Sequence, residues 1–312
     1  MATLFGAFTS STADFDAAGS WKDATTGNNG TPANGDTLIL DHRATGTLTQ
    51  NLGKSALTPT LLIIDQSFAG GIGVAATTGT TGTYLQIGAA TVEIGADTGE
   101  GAPQGSSNLM LDFGSTSTTV KVHNSGATSS DTYAPPIRLK GSGITLFQYG
   151  GSVGLAVKQG ETATLVAGTV TDSGASVTSN LYLGAGTTVT ALTANGGEIL
   201  SRSTNTTATT FLSGKAKYTY VGTGAHTTLD AHGGATCEYL GSGTLSTLDL
   251  SGTFTRAKSG NAATITNWTL RKGAVFDIDN GSASSTTISN NPTLADCSMQ
   301  DITLKAPPGK WL

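Results

Sequence analysis

Leu183-Gly184-Ala185-Gly186, Val221-Gly222-Thr223-Gly224 and Leu240-Gly241-Ser242-Gly243 are three versions of one phrase. The step from Gly222 to Gly241 recurs from Gly241 to Gly260, and the step from Gly184 to Gly222 is twice as long. Each copy leads into a threonine-rich stretch that ends in apolar residues, then a second glycine. A repeat of this length marks one supersecondary unit stacked on copies of itself. The clusters Thr187-Thr188-Val189, Thr206-Thr207-Ala208, Thr227-Thr228-Leu229, Ser246-Thr247-Leu248 and Ala263-Thr264-Ile265 place their apolar third residues 19, 21, 19 and 17 apart. A second family of turns carries Gly197, Gly214, Gly234, Gly252 and Gly273. Each unit therefore holds two or three short strands joined at glycine corners. One unit alone cannot bury its inward face; stacked units can.

Helical periodicity is nearly absent, and Thr, Val and Gly are poor helix formers. Tyr84-Leu85-Gln86-Ile87, Thr91-Val92-Glu93-Ile94, Leu109-Met110-Leu111-Asp112-Phe113 and Thr119-Val120-Lys121-Val122-His123 alternate as half-buried strands do. In the first half, Leu62-Ile63-Ile64, Leu85-Gln86-Ile87, Met110-Leu111-Asp112 and Arg138-Leu139-Lys140 follow one another at intervals of 23, 25 and 28. That reads as the same construction with wider rungs and longer loops at Gly99–Ser107 and Gly126–Pro136. The pattern resembles a parallel β-helix, the solenoid of many phage tailspikes and pectate-lyase-like proteins. The expected fold is all-β, a single-stranded parallel β-helix (β-solenoid) of about 19 residues per rung in its C-terminal half, with wider rungs N-terminally. Its divisions are an N-terminal arm or cap (1–45), a wide-rung solenoid (46–136), a regular solenoid (137–300) and a C-terminal cap or tail (301–312). The turn-rich opening around Trp21 resembles that of many phage and extracellular β-solenoids, where a Trp covers the first rung.

Composition bounds the function. The 312 residues include 43 glycines and 55 threonines, and charged residues are 12%, roughly half the usual share. Net charge is −5, and Arg271-Lys272 is the longest basic pair, so no cluster is present to neutralise nucleic-acid phosphates. No apolar run approaches the length of a membrane span. The opening Met1-Ala2-Thr3-Leu4-Phe5-Gly6 lacks the pattern of a secretory signal. Cys237 and Cys297 sit in no metal-ligand spacing and read as unpaired buried thiols. His42, His123, His226 and His232 do not converge in sequence and read as surface residues, so neither a metal nor a cofactor is expected.

Three motif matches fail on context. Gly71-Ile72-Gly73-Val74-Ala75-Ala76 matches a dinucleotide fingerprint, but the Thr/Gly run after it cannot form the required helix. Gly150-Gly151-Ser152-Val153-Gly154 matches a nucleophile elbow, but Leu155-Ala156-Val157-Lys158 reads as strand where a helix is required. Gly53-Lys54-Ser55 lacks the first glycine of a phosphate loop.

Carboxylates are the test for an enzyme. Asp277 and Asp279 alternate in one strand, and Asp230 and Asp249 stand one repeat apart, at equivalent places on adjacent rungs. Glu198 and Glu238 are candidates to extend such a group, and Tyr218, Tyr220 and Tyr239 are the one aromatic cluster. Paired carboxylates of this kind serve glycosidases and lyases; the alternative is a plain solvated face.

A weakly charged, Thr/Ser/Gly-rich β-solenoid without a secretion signal resembles tailed-phage virion proteins, made in the host cytoplasm and assembled on the particle. The resemblance implies a structural protein rather than an enzyme: a head decoration or cement protein on the capsid surface, bound to the major capsid protein as a homotrimer. The expected capsid-facing residues are Phe5, Phe8, Phe15, Trp21 and Trp311, in segments that break the repeat; the other reading makes those segments plain caps. The alternatives are a tail adhesin or tailspike that binds or cleaves a host-surface glycan, with Asp230, Asp249, Asp277 and Asp279 as its acids, and a cellular surface solenoid exported by a dedicated system.

Overall fold

The structure, a computed structural model, describes residues 1–75, 82–99, 108–123, 132–172, 178–256, 261–278 and 286–305. The chain winds as a two-sided parallel β-solenoid. One side, sheet A, runs from Thr3–Gly6 through Thr37–Leu40, Leu61–Asp65 and Thr91–Ala96 to Ala263–Arg271 and Thr293–Ala295. The other, sheet B, runs from Ala13–Asp14 through Leu109–Asp112 and Asn180–Leu183 to Thr303–Lys305. Each rung contributes to both sheets. The strand Ile137–Gln148 belongs to both: its first residues pair in sheet B, and after a bend at Gly141 the rest pair in sheet A.

The stacked glycine phrases are confirmed. Gly241 packs so closely on the rung below that a β-carbon on it would collide with the Gly222 carbonyl oxygen. Gly222 stands in the same relation to Ser203. These corners use glycine for close backbone approach rather than for unusual torsions; neither has positive φ. Gly260 lies outside the described residues.

The strand register differs from the threonine-cluster alignment. Val189 pairs with Thr207, not Ala208, and Ile265 pairs with Leu245, not Leu248. Inward columns decide it: Leu192, Thr210, Leu229, Leu248 and Trp268 stack at offsets of 18, 19, 19 and 20. Each of these strands turns two consecutive residues outward between two inward ones, as at Thr227 and Thr228, so a simple alternation loses count there. In the wide-rung half, Leu62, Val92, Val120 and Leu146 stack at 30, 28 and 26. Leu62 and Leu85, matched by spacing, lie on different sheets.

The first 45 residues are not an arm outside the ladder. Thr3–Gly6 and Ala13–Asp14 already pair in parallel with the next rung. Trp21–Asp23 folds back antiparallel on Thr3–Gly6 and closes that end. Trp21 is buried, edge-on to Phe8 at 6.4 Å, and donates its indole N–H to the Phe15 carbonyl at 3.0 Å. At the far end the last strands are largely exposed, with Leu294 and Met299 at the surface. The two thiols are free: Cys237 is buried in sheet B's inward column, while Cys297 is only half-buried. Ser152 lies wholly buried in a strand, so the elbow match has no exposed nucleophile. Gly71-Ile72 is likewise strand. The long loops read at Gly99–Ser107 and Gly126–Pro136 fall mostly outside the described residues.

Candidate functional site

Parallel pairing without slippage aligns residues of one parity into columns. On the outer face of sheet A one column reads Thr169, Thr193, Phe211, Asp230, Asp249 and Thr269. Asp230 and Asp249 are therefore direct neighbours on adjacent strands, as their spacing predicts. Arg271 reaches over from the next rung and grips Asp249 with two hydrogen bonds, Nε to Oδ1 and a terminal nitrogen to Oδ2, each 2.7 Å. Partial burial raises the Asp230 pKa above the usual carboxylate range, and the Asp249 charge raises it further. His232 shares a hydrogen bond with the Ser251 hydroxyl at 3.0 Å, and its ring packs on Phe211 at 5.6 Å.

Strand spacing is about 4.8 Å. That is close to the about 5–5.5 Å of a retaining carboxylate pair and well short of the wider gap inverting chemistry uses. Both Asp249 oxygens accept from Arg271, which fixes that carboxylate in place beside Asp230. The arrangement is built to accept and donate hydrogen bonds from fixed positions.

Among the described residues, the other proposed carboxylates do not join this pair. Asp277 lies on sheet B, ion-paired with Lys305 at 3.4 Å. Glu198 and Glu238 are also on sheet B, and Glu198 pairs with Lys217 at 2.9 Å. Asp279 lies outside the described residues. The tyrosine cluster is a correction: Tyr218, Tyr220 and Tyr239 point into the coil, each at most 1% exposed. His226 is a correction too. It is fully buried among these rings, bonded through Nε2 to the Thr210 hydroxyl at 3.0 Å. Burial pushes its pKa down to about 3.

Among the N-terminal aromatics, Phe8, Phe15 and Trp21 are core residues, at 5%, 2% and 2% exposure. They fill the first rungs and offer no contact surface. Phe5 is half-buried under the Arg43 guanidinium, 3.8 Å from its ring centroid. Trp311 lies outside the described residues. Aromatics that do face outward among the described residues include Tyr133, exposed and with its ring centroid 4.2 Å from the Arg202 guanidinium, Phe211, and the half-exposed Phe147 and Tyr149. Tyr149 stacks on His123 at 5.8 Å. Alternation carried the signal for Phe147, since Ile144, Leu146 and Gln148 point inward and leave Thr145 and Phe147 out.

No family model matches the chain, and no curated protein and no solved structure is significantly similar to it. Among the described residues no group of three or more His, Cys, Asp or Glu is placed to hold a metal ion. Among them, too, no helix is long and apolar enough to cross a membrane.

Proposed function

We propose that this chain is a structural protein of a tailed-phage particle, a head decoration or cement protein that binds the major capsid protein on the capsid surface as a homotrimer. The observation that supports this reading is the continuous ladder: sheet A is paired rung to rung from Thr3 to Ala295. Exchange or cleavage of such a ladder requires cooperative opening, which suits a shell exposed outside a cell. The burial of Phe8, Phe15 and Trp21 moves the contact surface away from residues 1–21; removing that segment takes out the first strand and three core aromatics. The capsid contact then falls to the outer faces or the exposed C-terminal rung. Immunogold labelling of purified particles tests the assignment, with regular labelling of heads as the expected result. Label confined to tails, or absent from particles, overturns it.

A second reading has its own support in Phe211, Asp230, His232, Asp249 and Arg271 on one outer face. A partly exposed ring beside fixed carboxylates suits a sugar polymer, so this reading is a tail adhesin that binds a host-surface glycan. Asp230→Asn and Asp249→Asn should each weaken adsorption to host cells at unchanged thermal stability. Adsorption unaffected by both removes the reading.

A further inference from the structure

Two adjoining clefts open on the corner where sheet B turns into sheet A in the wide-rung half, on rungs well removed from Asp230 and Asp249. One encloses about 330 Å³ and the other about 260 Å³, and Asp112 and Gly114 line both. Volumes of this order suit one or two sugar rings. The corner is open because Gly114 turns with φ of 56° and has nothing within 4 Å of where a β-carbon would stand.

The polar groups here are held in place from behind. Asp112 accepts a hydrogen bond from the Gly114 N–H at 3.0 Å and pairs with the Lys140 ammonium at 3.3 Å. Lys140 also lies over the Tyr84 ring, 4.5 Å from its centroid. The Tyr84 hydroxyl in turn donates to the Glu161 carboxylate at 2.6 Å. A carboxylate and an ammonium thus share one short span, both partly accessible, with the Gln86 amide one rung away in register with Asp112.

We propose that this corner cleft is a binding site for a neutral saccharide. Asp112 accepts from one hydroxyl of a vicinal diol while Lys140 donates to its neighbour, and Gln86 does both for the next ring. Separated full charges would suit a charged ligand; here the charges cancel locally, and only a ligand rich in paired donors and acceptors gains by replacing water. The site stands independently of the Asp230 and Asp249 face.

The test titrates the full chain with maltohexaose, cellohexaose and isomaltohexaose by calorimetry. At least one should bind, and Asp112→Ala should weaken it tenfold or more. Because Asp112→Ala also removes a turn contact, Ser142→Trp, on the exposed rim, blocks the cleft while leaving the Asp112 side chain in place. It should abolish binding with the melting temperature unchanged, while Thr227→Trp on sheet A leaves binding intact. Absence of binding by all three sugars overturns the proposal, as does binding that survives Ser142→Trp. If Ser142→Trp binds normally and Asp230→Asn does not, the sugar sits on sheet A and the corner site is wrong.

Discussion

The two halves of the solenoid share a backbone plan and differ in what they enclose. In the wide-rung half, sheet A's inward positions are mostly aliphatic: Leu62, Val92 and Val120 in one column, Ile64, Ile94 and Val122 in the next, with Thr118 a buried polar exception. In the regular half the columns carry polar and aromatic groups: Val189, Thr207, His226 and Leu245 on sheet A, and Ser201, Tyr220 and Tyr239 on sheet B. Tyr220 and Tyr239 stack at 4.6 Å, and Phe254 on Phe276 at 5.3 Å. An aliphatic column is held by burial alone. A polar one adds hydrogen bonds between rungs, as His226 does to the Thr210 hydroxyl, so neighbouring rungs in the regular half become mutually dependent, although Thr207 Oγ1 and the Tyr239 hydroxyl are buried without a partner.

Arg256 shows that dependence. It is buried, and its guanidinium donates to the carbonyls of Tyr239, Gly241 and Asn261 and to the Thr286 hydroxyl, at 2.7–3.1 Å. It ties successive rungs together at the glycine corner. Arg256→Ala should cost on the order of 5 kcal/mol, because it strands several buried acceptors at once. Chemical denaturation would read this, and a loss of under about 1 kcal/mol would show that water replaces the guanidinium without penalty. In the aliphatic half, Leu62→Ala should cost about 3 kcal/mol through the cavity it leaves. A smaller loss than at Arg256 sharpens the contrast, and a larger one reverses it.

The remaining effect is a pH dependence set by one residue of the regular half, His226. His226 is buried neutral with its pKa near 3, against about 6.5 in an unfolded chain. The unfolded state therefore binds the extra proton between those values. Stability conferred by the neutral ring is fully present above about pH 6.5 and declines as pH falls toward 3, by about 1.4 kcal/mol per unit. His226→Phe should flatten the melting temperature between pH 4 and pH 6 relative to the parent, as calorimetry would show. Identical slopes in the two proteins would mean that other groups set the acid limit.

The glycine phrases made the stacking legible, because close approach between backbones leaves only glycine at Gly222 and Gly241. Asp230 beside Asp249 was legible for the same reason, since identical offsets put both in one column. Burial was less so. Phe8, Phe15 and Trp21 sit in a stretch without the repeat, and nothing local distinguishes a core aromatic from a contact residue there. Tyr218, Tyr220 and Tyr239 have hydroxyls that suggest a surface, yet strand parity turns them inward. Glu198 and Glu238 resembled partners of Asp230 only until the rung was divided between two sheets.

The period and its glycines determine by themselves that this chain coils and roughly how far apart its rungs lie, because side-chain size at a corner is a local constraint. Which residues face in, which carboxylates share a sheet and where Asp112 meets Lys140 were decided only by the assembled coil. Those relations depend on register across rungs, and a single wide corner or a doubled outward pair shifts register by one residue and reverses the face.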